Sequence, residues 1–123
     1  MSNYRRQLGD WGEELALKYL EKIGYKILDQ KWQTREGEID LIALDQGTFV
    51  FIEVKTRRSN RFGYPAEAIS KNKQSKIIKC IESYLVKNHL AQNIQIRLDV
   101  ILIKLDKNKA QLQHLKNPVE NCS

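Results

Sequence analysis

The stretch from Gly37 to Arg57, GEIDLIALDQGTFVFIEVKTR, constrains the fold more than any other part of the chain. It reads as two strands joined by a tight turn. The first run, Glu38 to Leu44, is apolar in its interior except at Asp40, and the second, Thr48 to Lys55, is broken only by Glu53 and Lys55. Between them Asp45-Gln46-Gly47-Thr48 has turn composition, with glycine where positive φ is cheap.

Pleating sends alternate residues to opposite faces. Phe49, Phe51, Glu53 and Lys55 point one way, and Val50, Ile52 and Val54 the other. A two-residue loop, Gln46-Gly47, sets Asp45 opposite Thr48 and therefore Asp40 opposite Glu53. A four-residue loop gives the same pairing, whereas a three- or five-residue loop shifts it. In the favoured register the two carboxylates have Cβ atoms roughly 5 Å apart. Like charges opposed in an apolar hairpin cost stability, and a divalent cation with oxygen ligands would offset that cost. Lys55, next along the same face, adds a positive group. The competing reading is a solvent-exposed face that carries Asp, Glu and Lys by chance. Phe49 and Phe51 on that face argue for partial burial.

Before the hairpin, Tyr4 to Ile23 has the periodicity of a helix, with Leu8, Trp11, Leu15, Tyr19 and Ile23 within a broad apolar arc. Glu13 falls at the edge of that arc, where a carboxylate needs a partner. Two readings stay open: a pair with a surface Lys or Arg, or a third acidic group reaching the hairpin. Gly24 ends the helix, and Tyr25 to Trp32 reads as a first strand.

After the hairpin, Arg57 to Pro65 is a basic loop carrying Phe62 and Tyr64. Arg meets phosphate and rings stack on bases; the alternative is a solvated loop with both rings tucked inward. Ser70 is a plausible N-cap for a helix to about Lys87, with Lys71, Lys73, Lys76 and Lys79 in its first half. Ile94 to Ile103 is an interior strand interrupted by Asp99, which is expected to make a structural interaction with Arg97 or with backbone rather than to act in catalysis. A turn at Asp106 to Lys109 leads to a short edge strand, Ala110 to Leu115, where His114 is expected at the surface. The order is helix, three strands, helix, strand: an α/β sandwich with a mixed sheet whose first three strands form an antiparallel meander.

The chain has 123 residues, which fits a single domain over 1–116 with a frayed tail over 117–123. The net charge of +6 favours a polyanionic partner, nucleic acid or an anionic surface. An anionic membrane surface is the competing partner; no apolar stretch has membrane-spanning length, and nucleic acid rather than a membrane is the expected partner. The N-terminal sequence has no signal-peptide pattern, and the two cysteines, Cys80 and Cys122, have no zinc spacing. A reducing, cytoplasmic setting is the expectation.

Gly12-Glu13 with Ala16, Gly24-Tyr25, Gly37-Glu38-Ile39-Asp40-Leu41-Ile42-Ala43, Phe51-Ile52-Glu53-Val54-Lys55-Thr56-Arg57, Phe62-Gly63, Lys73 and Arg97-Leu98-Asp99-Val100 span nearly the whole chain. Together they resemble the restriction-endonuclease-like nucleases, named for a PD-(D/E)xK signature. More closely, the chain is similar to the YraN-type family, relatives of archaeal Holliday junction resolvases. Ile39 stands where the superfamily name has proline. The resemblance implies an α-β-β-β-α-β core with a mixed central sheet flanked by helices. It also implies Mg²⁺-dependent endonuclease action on DNA, rather than RNA, with branched or flapped structures as substrates and Mn²⁺ as an alternative ion. Asp40, Glu53 and the carbonyl of Val54 would hold the metal. Lys55 would orient or deprotonate water, and Glu13 would complete the acidic cluster. Arg57, Arg58, Arg61, Lys71 and Lys73 would contact the backbone, and resolvase relatives imply a homodimer. The rival readings are a nucleic-acid-binding module without catalysis and a scaffold for protein partners.

Overall fold

The computed structural model describes residues 4–58, 70–90 and 93–117. Helix α1 (Tyr4–Lys22) is followed by strands β1 (Lys26–Gln33), β2 (Glu38–Asp45) and β3 (Thr48–Arg57). Helix α2 (Lys71–Lys87), β4 (Ile96–Asp106) and β5 (Lys109–Lys116) complete the order. The five strands form one sheet in sequence order, β1-β2-β3-β4-β5. Every neighbouring pair is antiparallel except β3 and β4, which are parallel. The expected mixed sheet is thus observed, with β5 as a full edge strand of eight residues. The expected loop residues Arg61, Phe62 and Tyr64 lie outside the described residues, as does the tail beyond Asn117.

The hairpin register is the expected one. Asp45 pairs with Thr48, and the ladder runs back to Leu41 opposite Ile52. Gln46 (φ 49°) and Gly47 (φ 90°) are both left-handed, the conformation of a two-residue turn whose twist matches the flanking strands. Lys107 and Asn108 do the same between β4 and β5, with φ of 47° and 67°. Gly24 (φ 99°) closes α1: its N–H donates to the Glu21 carbonyl, and the Tyr25 N–H reaches back to the Leu20 carbonyl.

Alternation along the strands builds two apolar layers, one on each face of the sheet. Ala16 and Leu20 of α1 pack with Leu41, Ala43, Val50, Ile52, Ile101 and Ile103. On the other face Ile77, Cys80, Ile81 and Tyr84 of α2 pack with Ile39, Ile42, Phe51, Val100 and Leu102. Cys80 is a buried free thiol of that second layer. Ile39, where the superfamily name has proline, is simply a core residue at 2% exposure.

Helix α1 approaches the sheet closely at Gly12. A Cβ there would lie 1.9 Å from Thr56 Oγ1, 3.1 Å from its Cβ and 3.2 Å from its Cγ2. All three Thr56 atoms crowd the position, so rotating the hydroxyl away does not clear it. This contact is what brings the next residue, Glu13, against the sheet.

One expectation is corrected. His114 is not a surface residue: its side chain is 6% exposed. Its Nε2 lies 2.7 Å from Asp99 Oδ2, and its Nδ1 lies 3.0 Å from the Tyr19 hydroxyl. β5 is an edge strand, but one of its faces lies under α1, and edge position alone does not expose that face. Asp99 is fully buried and also accepts from Arg97 Nε at 2.8 Å, as the sequence led us to expect. Arg97 reaches further, to the Tyr25 hydroxyl at 2.6 Å and to Asp45 at 3.2 Å. Burial alone would raise the Asp99 pKa, but the hydrogen bonds from His114 and Arg97 outweigh it and the net direction is down. The Asn117 N–H also donates to Asp99 Oδ1 at 3.3 Å, so the strand end is tied down.

Two stability measurements check these contacts. Gly12→Ala should destabilise the chain by roughly 1–3 kcal/mol through overpacking. That loss exceeds the gain of about 1 kcal/mol that helix propensity alone would give. Thr56→Ala in the same chain should recover part of it; equal stability of Gly12→Ala and wild type in urea melts would contradict the close approach. His114→Ala should cost about 2 kcal/mol by leaving buried Asp99 short of a donor, read as a lower urea midpoint and faster amide exchange in β5.

Candidate metal centre

The site forms where β2 and β3 part. The backbone ladder ends at Leu41 opposite Ile52, one position short of Asp40 and Glu53. At that point Asp40 Oδ2 accepts the Val54 N–H at 2.8 Å. A side-chain carboxylate takes the place of a backbone carbonyl, and the strands are free to diverge. Strand alternation slips at the same place. Ile39 joins the α2 layer although Leu41 and Ala43 belong to the α1 layer. Groups from both faces can therefore approach one another here.

The preceding turn delivers Glu38. The Thr34 hydroxyl accepts from the Glu36 and Gly37 N–H groups at 3.0 and 3.3 Å, and the Thr34 N–H donates to the Gly37 carbonyl at 2.8 Å. Gln33 Nε2 donates to Glu38 Oε1 at 3.1 Å and holds that carboxylate. From α1, Glu13 arrives beside it. One carboxylate oxygen each from Glu13, Glu38 and Asp40 lie within 4.8 Å of one another. Both readings of Glu13 hold at once: it pairs with Lys31 Nζ at 2.8 Å and it reaches the hairpin. Lys31, on β1, also binds Asp10, and the hydrogen bond to Glu13 leads the causes that hold its ammonium well above the usual lysine range.

Glu53 is 5% exposed and is held differently. Its Oε2 lies 2.5 Å from Lys73 Nζ and 3.9 Å from Lys55 Nζ. Lys73, expected to contact nucleic acid, lies beside Glu53 within the site. Burial pulls its pKa down, but the bond to Glu53 and that residue's charge outweigh this and the net direction is up. Lys55 shifts the other way, pushed down by burial and then by the neighbouring Lys73 charge. Asp40 is pushed up to about 8, chiefly by burial and next by the charge of Glu53, with Glu13 and Glu38 adding to it.

Two clefts open on this cluster. One, of about 760 Å³, is lined by Tyr4, Leu8 and Glu13 from α1 and by Val54, Lys55, Thr56, Arg57 and Arg58 from the end of β3. The other, of about 320 Å³, is lined by Gly37, Glu38, Lys76, Ile77 and Cys80. Asp40, Glu53 and Lys73 line both. Arg57 and Arg58 are exposed at the rim, with Arg58 5.2 Å from the centre of the Tyr4 ring. Lys71 is exposed at the start of α2. Arg61, the remaining expected contact, lies outside the described residues.

Sequence reasoning missed Glu38, Lys31 and Thr56. Glu38 carries a usable signal, since it stands two residues before Asp40 on the same strand. Lys31 and Thr56 carry none, because their partners come from α1 through tertiary packing.

The charge crowding makes the pH dependence testable. The buried Asp40 carboxyl keeps its proton to a higher pH than in the unfolded chain, where it ionises near 4. The folded state then binds more protons between about pH 4 and about pH 8, so metal-free stability falls as pH rises through that window. Asp40→Asn keeps an acceptor for the Val54 N–H and removes the titration. Without divalent ions it should melt several degrees above wild type at pH 8 and close to wild type at pH 4.5. A difference independent of pH in thermal scans would contradict the assigned crowding.

The family model of the uncharacterised protein family UPF0102 matches residues 12–103. That span runs from the Gly12 contact through the four carboxylates to the end of the core strands. A UPF0102 protein of Syntrophomonas wolfei is 45% identical over 112 residues, covering 91% of this chain and 96% of the relative. Its counterpart in Alkaliphilus oremlandii is 42% identical over 113 residues, covering 91% and 97%. One from Roseiflexus castenholzii is 36% identical over 124 residues, covering 99% and 100%. The chain belongs to the uncharacterised protein family UPF0102, the YraN-type group of the restriction-endonuclease-like fold.

Proposed function

We propose that the chain is a metal-dependent endonuclease that hydrolyses phosphodiester bonds in DNA, with branched or flapped structures as its substrates. The observation that carries this reading is the convergence of Glu13, Glu38 and Asp40 at the fork between β2 and β3, in clefts that Glu53 also lines and one of which Lys55 lines. The donors fit a hard divalent ion: all are oxygens, and three carboxylates already converge within 4.8 Å. Burial and next the charge of Glu53 raise the Asp40 pKa, and a divalent ion would relieve that crowding. In an extended strand a residue's N–H and C=O face the same neighbour. The Val54 carbonyl therefore faces the gap where its N–H meets Asp40. Asp40, Glu53 and that carbonyl would hold Mg²⁺ or Mn²⁺, with Glu13 and Glu38, which converge on Asp40, available as further oxygen donors. The ion would supply charge neutralisation on the phosphoryl group and a more acidic water.

The chain's own groups supply the rest. Lys55, with its pKa lowered, is suited to accept a proton from water and return as a cation beside developing negative charge. Arg57 and Arg58 at the rim, with Lys71, would position phosphates without reading bases. The larger cleft admits a strand along this rim. Among the described residues no helix is long and apolar enough to cross a membrane.

The lysine partners of the acidic groups favour a second reading. Lys73 and Lys31 neutralise Glu53 and Glu13 without any ion. A module that binds nucleic acid without cutting it would bind in a salt-dependent, metal-independent way.

The test is cleavage of four-way junction, flap, duplex and single-stranded DNA in Mg²⁺, Mn²⁺ or EDTA. Cutting should require the ion, and Asp40→Asn or Glu53→Gln should each lower it by roughly 10²-fold or more. Cutting that survives either change, or EDTA, would overturn the assignment. Salt-sensitive binding with no cutting of any substrate would favour the second reading.

A further inference from the structure

We propose that Lys73 is the resident counterion of the metal-free site, and that its ammonium must leave Glu53 before a divalent ion can seat. The inference rests on the metal-site reading above and adds a specific role for a residue on α2.

A carboxylate as buried as Glu53 requires a positive partner. Two lysines compete for it. Lys55 is its neighbour on the same strand face, yet its Nζ is 3.9 Å away, whereas Lys73 Nζ is at 2.5 Å. The close partner therefore comes from a different element, across the mouth of the sheet. That leaves Lys55 the looser of the two partners of Glu53.

Lys73 is placed to make and break this contact. Its backbone is fixed, because its N–H donates to the Ser70 Oγ at 3.2 Å in the N-cap of α2. Its side chain is 40% exposed and carries the charge on a flexible four-carbon stem. It also lines both clefts together with Asp40 and Glu53, so the ion pair lies at their junction. A divalent ion bound by Glu53 and an ammonium bound by Glu53 would stand within a few ångströms of each other. Their repulsion in a partly buried site makes joint occupancy unfavourable. The ammonium displaced in this way remains tethered at the cleft, where it can meet a substrate phosphate. Lys73 is then a positioning residue with two posts: the glutamate before loading and the phosphate afterwards.

Competition predicts a counter-intuitive result, that removing a positively charged neighbour of the site strengthens metal binding. Calorimetric titration with Mn²⁺ alone, without nucleic acid, reads it directly. Lys73→Met should bind Mn²⁺ roughly tenfold more tightly than wild type, and Lys73→Arg, which keeps the charge, should stay near wild type. In a Glu53→Gln background the gain from Lys73→Met should vanish, because the ion pair is already gone. Circular dichroism checks that each variant is folded; Lys73→Gln replaces Lys73→Met if the latter is not. Equal or weaker Mn²⁺ binding by a folded, uncharged variant overturns the counterion role while leaving the metal site standing. Failure of both wild type and Lys73→Met to bind Mn²⁺ sinks the metal-site reading and this inference with it.

Discussion

The hydrogen bond from the Val54 N–H to Asp40 Oδ2 is the interaction on which the site depends. From Thr48 to Ile52 the third strand is paired regularly with the second. Two residues further along the third strand, at Val54, a carboxylate stands in for a carbonyl. This satisfies a backbone donor that the parting strands would otherwise leave unpaired. It also fixes an acidic group beside a second, buried one. Fold and candidate chemistry meet in this bond: the opening of the sheet and the crowding of charge have the same cause.

The crowding is managed by lysines from outside the hairpin. Lys31 on β1 takes Glu13 and Lys73 on α2 takes Glu53. Asp40, between them, is left with a backbone donor and a strongly raised affinity for protons. Every acidic group comes from a different strand end or helix turn, except Glu38 and Asp40. The cluster therefore exists only in the folded chain, and its geometry depends on how both helices sit. The absent side chain at Gly12 sets one helix against Thr56, and the Ser70 cap sets the start of the other.

Local chemistry explains which parts were legible beforehand. Gln46-Gly47 prefers a two-residue turn, and that preference gives the register observed from Asp45 opposite Thr48 to Leu41 opposite Ile52, one position short of Asp40 and Glu53. Helix ends were readable from Gly24 and Ser70, and the Asp99–Arg97 pair from their spacing on one strand. What escaped was tertiary. His114 looked exposed because alternation on an edge strand does not say which face a helix covers, and Tyr19 of α1 covers it. Lys73 looked like part of a solvated basic run, because nothing local aims the first turn of α2 at Glu53. Glu38 was passed over as a strand boundary, although Gln33 and the Thr34 turn place it firmly in the cluster.

Buried Asp99 and half-buried Asp40 answer acid in opposite senses. Asp99, beneath β5, is clasped by Arg97 and His114 and favours its ionised form, so acid weakens the end of the sheet where it lies. Asp40 favours its neutral form, so the same acid relaxes the end where the strands fork. A single five-stranded sheet thus carries a proton-releasing centre and a proton-retaining one. Without a bound ion, the balance between them draws the chain's most comfortable condition toward mild acidity. A cation at the fork would move that balance back toward neutral pH.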